Sequence, residues 1–257
     1  VTLRSPACGT EGEQACGSPV NSWGFIPRPG DVRPYLGTVR AQRALRFDRG
    51  RTGCPDTAWY RPAVRRLLPP TEPAGAAVDP VQEVFERPRT PPTGRPWVLV
   101  NMISSADGAA SLDGTSGGLG GPADKAMFSA LRQVPDVILV AAGTVRAEGY
   151  RPLRPPDEVR ARRAAHGLDP VARLAIVTSH VDLDLADPLF TDAELPPIVI
   201  TGSGAPADRL AAVEAAGGQL LVAGDDRVDL ALALAELGRH GAGVVLCEGG
   251  PSLLGQL

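Results

Sequence analysis

One segment near the C-terminus reads Val244-Val245-Leu246-Cys247-Glu248-Gly249-Gly250-Pro251-Ser252-Leu253-Leu254. Its short apolar run ends in a carboxylate, two glycines and a proline, an order typical of a buried strand, a tight turn and a helix that begins at the proline. Glycines let a ligand approach the backbone closely, and the N–H groups that open a helix favour an anion. The segment therefore fits a phosphate-binding turn beside Glu248, and it fits a purely structural strand–turn–helix corner equally well.

Upstream of this segment, apolar runs alternate with helical patterns. The runs predict five further strands, at 97–103, 136–142, 173–179, 197–201 and 219–223. The helical patterns between them include 206–216 and 229–239. Because the first run is almost continuously apolar, we expect a central position for it in the sheet. The alternation predicts an α/β fold with a mostly parallel sheet and flanking helices.

Residues 1–94 do not read as part of this domain. Up to about residue 63 the chain is rich in Gly, Pro and Arg and has no lasting apolar periodicity, which predicts a disordered leader or a start site placed too far upstream. In the second interpretation the natural protein begins near Val64. The following residues form a lead-in with one short helix at 80–86 that packs on the domain. The folded domain is therefore expected at residues 95–257.

The bulk composition narrows the choice of partners. The chain has 257 residues, 43% of them hydrophobic, and a net charge of -3, so it has no general attraction for nucleic acid or membranes. No apolar run approaches the roughly 20 residues that span a bilayer, and no signal peptide is evident. The four cysteines and three histidines are too scattered for a zinc site. We therefore expect a cytoplasmic protein that binds a small molecule and no metal.

Polar side chains follow several of the predicted strands. Asp107, Thr144, Ser179 and Glu248 each come shortly after an apolar run. Because ligands of open parallel sheets bind outside the carboxyl ends of the strands, these residues predict a common site. Taken alone, Asp107 fits a turn role better than a ligand contact, since Asp-Gly pairs are common in turns. No GxGxxG motif follows the first strand, and no P-loop, GxSxG or HExxH motif occurs.

Arginine carries nearly all of the basic charge, since Lys125 is the only lysine. Residues 151–170 are rich in proline and arginine and predict a surface loop. Its four arginines are more typical of a solvent-exposed surface than of a phosphate-binding site. They are Arg154, Arg160, Arg162 and Arg163. Arg132, on the helix predicted after Pro122, also fits a solvated charge when it is considered alone.

Three motifs in this order and spacing resemble the reductase domain of riboflavin biosynthesis. They are Asn101-Met102-Ile103-Ser104-Ser105-Ala106-Asp107-Gly108, Gly143-Thr144-Val145 and the segment that starts at Glu248. That domain is the C-terminal half of the bifunctional deaminase–reductase and has a dihydrofolate-reductase-like fold. Stand-alone actinobacterial pyrimidine reductase family proteins are more similar still, through Asp113-Gly114-Thr115-Ser116-Gly117 and Arg146-Ala147-Glu148-Gly149-Tyr150. The resemblance covers about residues 95–257.

This resemblance implies an NADPH-dependent reductase that transfers hydride to ribose C1′ of 5-amino-6-(5-phosphoribosylamino)uracil. It implies catalytic roles for Asp107 and Glu248, and substrate contacts at Ser116, Arg132 and Glu248. It also implies a homodimer. The cofactor positions that it implies are Ile103, Thr144, Glu148, Ser179, Gly249, Gly250, Pro251, Ser252, Leu253 and Leu254.

The sequence also departs from the family pattern. Gly118 stands where the family often has an aromatic residue, and Glu148 stands where many relatives have aspartate. Family members continue beyond the position of Leu257, so the resemblance implies that this sheet lacks its C-terminal strands. Two alternative functions stay open: a dihydrofolate-reductase-like enzyme acting on another pterin or pyrimidine, and a non-catalytic nucleotide-binding module.

Overall fold

The structure is a computed structural model that describes Val64 and residues 77–257. The predicted leader and upstream start fall on residues outside the described part of the chain. The short helix predicted at 80–86 lies within it, as helix α1 at Pro80–Phe85. The side chain of Asp79 caps this helix by accepting a hydrogen bond from the N–H of Val81 at 2.9 Å.

In the part of the chain that the structure describes, six parallel strands form one sheet, and each coincides with a predicted apolar run. The strands are β1 Trp97–Val100, β2 Val137–Ala141, β3 Arg173–Val177, β4 Ile198–Thr201, β5 Gln219–Val222 and β6 Val244–Cys247. Their order across the sheet is β1-β6-β2-β3-β4-β5, and all five neighbouring pairs are parallel. The predicted α/β class with a mostly parallel sheet is therefore confirmed.

Seven further helices lie between and after these strands within the described residues. They are α2 Pro122–Leu131, α3 Ala142–Glu148, α4 Asp157–Ala165, α5 Pro188–Thr191, α6 Ala207–Ala215, α7 Leu230–Arg239 and α8 Pro251–Leu254. Proline stands in the first turn of α1, α2, α5 and α8, where its missing N–H costs no helical hydrogen bond. The corner predicted at the C-terminus is thus present as β6, a glycine turn and α8.

The expectation that the first apolar run is central is wrong, because β1 lies at an edge of the sheet. The reason for its apolar sequence is that both of its faces are covered. Val98 packs against the main core, whereas Leu99 packs against a cluster formed by α1 and α2. Trp97 and Val100, at the strand ends, are 37% and 46% exposed.

The prediction of a surface loop at 151–170 is also wrong, because helix α4 occupies much of this range. Arg163 of this helix is only 1% exposed, and its Nε donates to the carbonyl of Asp169 at 2.7 Å. Its Nη1 donates to the carbonyls of Gln133 and Pro135, each at 2.9 Å. The helix had no apolar stripe to reveal it, since its buried residue is an arginine.

Alternating residues of β2 show how the sheet is buried on both faces. Val137 and Leu139 belong to one core cluster, together with the apolar face of α7. Ile138 and Val140 belong to a second cluster, with α5 and α6 on the opposite face. A central parallel strand is buried in this way, which explains its uninterrupted apolar sequence. Because β2 and β6 pair in parallel, their carboxyl ends lie side by side.

Candidate active site

A cavity of about 1020 Å³ opens at the carboxyl ends of β1, β2 and β6. Its wall includes the residues that follow these strands, namely 101–103, Gly143, Thr144, Glu248 and Gly250, and one face of α2. Ligand pockets usually measure about 300–1,000 Å³, so this volume has room for a large ligand or for two ligands together. The cavity lies where the polar strand ends predict a site.

A buried carboxylate stands at the end of β6. Glu248 Oε1 accepts a hydrogen bond from Arg132 Nε at 2.7 Å, and Oε2 accepts one from Arg132 Nη2 at 2.6 Å. Tyr150 Oη donates a third hydrogen bond to Oε2, also at 2.6 Å. The Glu248 side chain is 2% exposed and the Arg132 side chain 30%. The pair therefore has the two-pronged geometry that a buried ion pair needs to offset its desolvation.

Burial and the charge of Glu248 together determine the protonation of Arg132 and Tyr150, and two aromatic rings flank the guanidinium. The Arg132 guanidinium carbon lies 4.4 Å from the ring centre of Phe128 and 5.5 Å from that of Tyr150. Burial opposes the positive charge of Arg132, but the hydrogen bonds and charge of Glu248 outweigh it and raise the arginine pKa. Burial, reinforced by the charge of Glu248, strongly raises the pKa of Tyr150. Tyr150 is therefore a neutral hydrogen-bond donor at any physiological pH.

The main chain holds the three members of this cluster in place. Glu248 continues the β ladder, because its N–H donates to the carbonyl of Leu139 at 3.0 Å. Gly149 adopts a left-handed conformation (φ 61°) directly after α3 and turns the chain towards Tyr150. Arg132 is the C-cap residue directly after α2. Three elements from distant parts of the sequence therefore meet at this cluster.

The glycine turn after β6 closes tightly on α3. Gly249 has φ +94°, a conformation that suits glycine, and its carbonyl accepts a hydrogen bond from the N–H of Ala141 at 2.7 Å. The peptide bond from Gly249 to Gly250 is cis. A Cβ on Gly250 would lie 2.8 Å from Thr144 Oγ1, so a side chain there would collide with the threonine. The turn and the first residues of α3 thus form a joint backbone surface in the cavity.

A second contact ties the loop before α2 to the end of α3. The N–H of Ser116 donates to Glu148 Oε1 at 2.7 Å, across 32 residues of sequence. Both residues line the cavity. A residue predicted to contact the substrate and one predicted to contact the cofactor are therefore adjacent.

The cavity collects most of the residues predicted to form the site. Those that line it are Ile103, Ser116, Arg132, Thr144, Glu148, Glu248, Gly250 and Pro251. Gly249 belongs to the adjoining turn. Ser179, Ser252 and Leu254 are not part of the lining, and Leu253 is buried in the core.

The structure also keeps Asp107 out of the cavity wall. Its carboxylate accepts a hydrogen bond from the Ser105 hydroxyl within an exposed turn. That bond, together with backbone hydrogen bonds to the carboxylate, lowers the pKa of Asp107. This geometry is that of a turn residue, the role that Asp107 fits best when its sequence is considered alone.

Sequence patterns alone did not identify Tyr150 and Phe128 as site residues. Tyr150 lies 98 residues from Glu248, and Arg132 lies 116 residues from it, so no local spacing links them. Phe128 precedes Arg132 by four residues, which places both on one face of a helix. This helical spacing was the sequence signal that could have linked Phe128 to Arg132.

No helix among the described residues has the length and apolar character needed to cross a membrane. No group of three or more His, Cys, Asp or Glu side chains in this part of the chain has the arrangement of a metal site.

A parallel α/β sheet with a large cavity, a glycine turn and a buried charged cluster at its strand ends defines a small-molecule-binding domain. Comparison with family models identifies the family of this domain: the model of the RibD C-terminal domain matches residues 96–257. The chain belongs to this family. The resemblance to the riboflavin-biosynthesis reductase domain, predicted from three motifs, is therefore confirmed.

Individual relatives agree with this assignment. A 2,5-diamino-6-ribosylamino-4(3H)-pyrimidinone 5′-phosphate reductase of Aquifex aeolicus is 33% identical over 164 residues, which span 62% of this chain and 69% of the relative. A protein of the same name from Archaeoglobus fulgidus is 29% identical over 164 residues, covering 63% and 74%. The crystal structure of a pyrimidine reductase-like protein of Corynebacterium diphtheriae matches with a TM-score of 0.60 and 29% identity, over 68% of this chain and 74% of that one.

Proposed function

We propose that the chain is an NADPH-dependent reductase that transfers hydride to ribose C1′ of a phosphoribosylaminopyrimidine. The observation that carries this proposal is that one cavity contains both a glycine turn packed on Thr144 and the buried cluster of Arg132, Glu248 and Tyr150. The family assignment supports the same reaction class.

In this proposal the glycine turn and α3 hold the cofactor. Gly250 and Thr144 both line the cavity, and in this proposal the glycine backbone contacts the pyrophosphate there. The N–H groups in the first turn of α3 have no acceptor within the helix, which suits them to an anion. Ile103, Glu148 and Pro251 line the cavity and are proposed as further contacts. Four other cofactor positions are proposed from the family resemblance alone, because they lie outside the cavity lining: Ser179, Ser252, Leu253 and Leu254. Bound NADPH supplies the hydride.

Arg132, Ser116 and Glu248 form the proposed substrate side. The carboxylate of Glu248 occupies Nε and Nη2 of Arg132, so Nη1 is outside the pair. We assign Nη1 to the substrate phosphate, because a guanidinium group binds such oxyanions well. Glu248 anchors Arg132 and borders the reacting sugar. Asp107 keeps the turn role in this proposal, because it lies outside the cavity wall.

The test follows NADPH oxidation by purified protein with three candidate substrates. These are 5-amino-6-(5-phosphoribosylamino)uracil, the 2,5-diamino-6-ribosylamino-4(3H)-pyrimidinone 5′-phosphate that names the relatives, and dihydrofolate. We expect turnover of one or both ribosyl phosphates and none of dihydrofolate, and the faster of the two identifies the ring that is accepted. Turnover of dihydrofolate alone would replace the proposal with a pterin reductase. NADPH binding without any turnover would leave a nucleotide-binding module.

We also propose, from the family resemblance, that the protein is a cytoplasmic homodimer. Light scattering coupled to size-exclusion chromatography measures the mass directly. We expect twice the mass of one chain, and a mass of 26.7 kDa would contradict the dimer.

A further inference from the structure

Tyr150 contacts both members of the buried ion pair. Its hydroxyl donates to Glu248 Oε2 at 2.6 Å, and its ring centre lies 5.5 Å from the guanidinium carbon of Arg132. No other tyrosine belongs to the described residues. The residue lines the cavity, yet the proposed reaction assigns it no contact with substrate or cofactor.

The hydroxyl completes the hydrogen bonding of a buried carboxylate. Arg132 supplies one donor to each oxygen of Glu248, and Tyr150 supplies a second donor to Oε2. Because the Glu248 side chain is only 2% exposed, water has little access to replace a lost donor. Without the hydroxyl, the Glu248 carboxylate and the guanidinium paired with it lose one restraint on their orientation. The direction in which Arg132 faces the cavity would then be less well defined.

The ring contributes in a different way. An aromatic face next to a guanidinium stabilises the cation and limits its movement, and Phe128 offers a second ring at 4.4 Å. A phenylalanine at position 150 would keep the ring and lose the hydroxyl. The two contributions are therefore separable by substitution.

We infer that Tyr150 is a positioning residue that fixes the Arg132 guanidinium through Glu248 and thereby sets the affinity for the phosphorylated end of the substrate. For the reaction itself this inference rests on the proposed function. The binding of a sugar phosphate does not depend on turnover, so it is tested independently. The strongly raised pKa of Tyr150 supports the assignment, since the hydroxyl keeps its proton and donates throughout the working pH range.

The decisive variant is Tyr150→Phe, compared with wild type in the binding of ribose 5-phosphate and of ribose by calorimetry. A hydrogen bond to a charged group is worth enough for about a tenfold change, so we expect ribose 5-phosphate to bind about tenfold more weakly. Binding of ribose and of NADPH should not change. Equal weakening of ribose and ribose 5-phosphate would overturn the inference, as would an unchanged affinity for ribose 5-phosphate or its failure to bind wild type.

Steady-state kinetics give the second readout. For Tyr150→Phe we expect a higher KM for the ribosyl phosphate substrate, with the KM for NADPH unchanged and kcat nearly so. A fall in kcat with both KM values unchanged would contradict a positioning role. Absence of turnover in wild type would reject the proposed function, while the calorimetric comparison would still decide the role of Tyr150.

Two controls separate the hydroxyl from the ring and from general stability. Phe128→Leu removes the other ring but leaves the hydrogen bond, and we expect it to weaken ribose 5-phosphate binding less than Tyr150→Phe does. Thr191→Val removes a hydroxyl on α5 that bonds the carbonyl of Asp187 at 3.3 Å, and it should have no effect on binding. Circular dichroism confirms that each variant is folded. If Tyr150→Phe does not fold, the affinity of Phe128→Leu for ribose 5-phosphate and for ribose remains measurable. A tenfold loss of ribose 5-phosphate affinity in that variant, with ribose binding unchanged, would assign the positioning role to the rings and overturn the inference.

Discussion

Gly250 lies against Thr144 so closely that a Cβ on the glycine would fall 2.8 Å from Thr144 Oγ1. The contact joins the turn after β6 to the first turn of α3, and both segments line the cavity. The distance is shorter than side-chain carbons tolerate, so a side chain at position 250 would force Thr144 to move.

Gly250→Ala should therefore destabilise the domain by overpacking, by about 1–3 kcal/mol. Urea unfolding followed by circular dichroism measures this change. Removing the opposing oxygen with Thr144→Ala in the same chain should recover part of the loss. Gly255→Ala is the matched control, because a Cβ there would have its nearest neighbour at 3.5 Å and should be tolerated. Equal effects of the two alanine substitutions would argue against the close packing.

The pair formed by Arg132 and Glu248 should show strong energetic coupling. Glu248→Ala leaves a partly buried guanidinium without its partner, which costs about 3–5 kcal/mol in a fully buried pair. Because the Arg132 side chain is 30% exposed, we expect a smaller loss, about 2 kcal/mol. A double-mutant cycle of Arg132→Ala and Glu248→Ala in urea unfolding measures the coupling.

An exposed pair provides the comparison for this cycle. Arg154 and Asp192 meet at 2.6 Å, but their side chains are 61% and 67% exposed. Solvent screens such pairs, so a cycle of alanine substitutions there should give little or no coupling. If the two cycles give the same value, the buried geometry at Glu248 has no special energetic role.

The sequence predicts those features of the structure that depend on residues close together in the chain. The strands were predictable because apolar runs such as 137–141 are buried on both faces, and the glycine turn was predictable from the order Glu-Gly-Gly-Pro. The cluster at Glu248 was not, since its members come from the residue after α2, the second residue after α3, and the end of β6. Helix α4 was missed for a related reason, because a hydrogen-bonded Arg163 takes the place of an apolar stripe.

Arg163→Ala should strongly destabilise the fold. The substitution removes the donors to the carbonyls of Gln133, Pro135 and Asp169 and opens a cavity under α4. Unsatisfied buried carbonyls and lost packing together should cost about 3 kcal/mol or more. Thermal unfolding of Arg160→Ala on the same helix is the control. Arg160 pairs with Glu194, whose side chain is 49% exposed, and donates to one carbonyl, that of Pro155, so its loss should matter less. A similar fall in Tm for both variants would contradict the structural role of Arg163.

Tyr150 should also make the stability of the domain depend on alkaline pH. Burial and the charge of Glu248 raise its pKa in the folded state far above the value of about 10 that it has when unfolded. Above that pH the unfolded chain releases the tyrosine proton while the folded protein keeps it. The free energy of unfolding should therefore fall with increasing pH, by up to about 1.4 kcal/mol per unit. Below pH 10 the contribution is fully present and constant.

Comparison of wild type with Tyr150→Phe isolates this contribution, because every other group that titrates at high pH is present in both proteins. Urea unfolding at a series of pH values between about 8 and 11 supplies the two curves, within the range in which tyrosine titrates. We expect the stability difference between wild type and variant to be constant up to about pH 10 and to shrink above it. A difference that stays constant over the whole series would mean that Tyr150 titrates alike in the folded and unfolded chains, which is incompatible with a buried hydroxyl donating to Glu248.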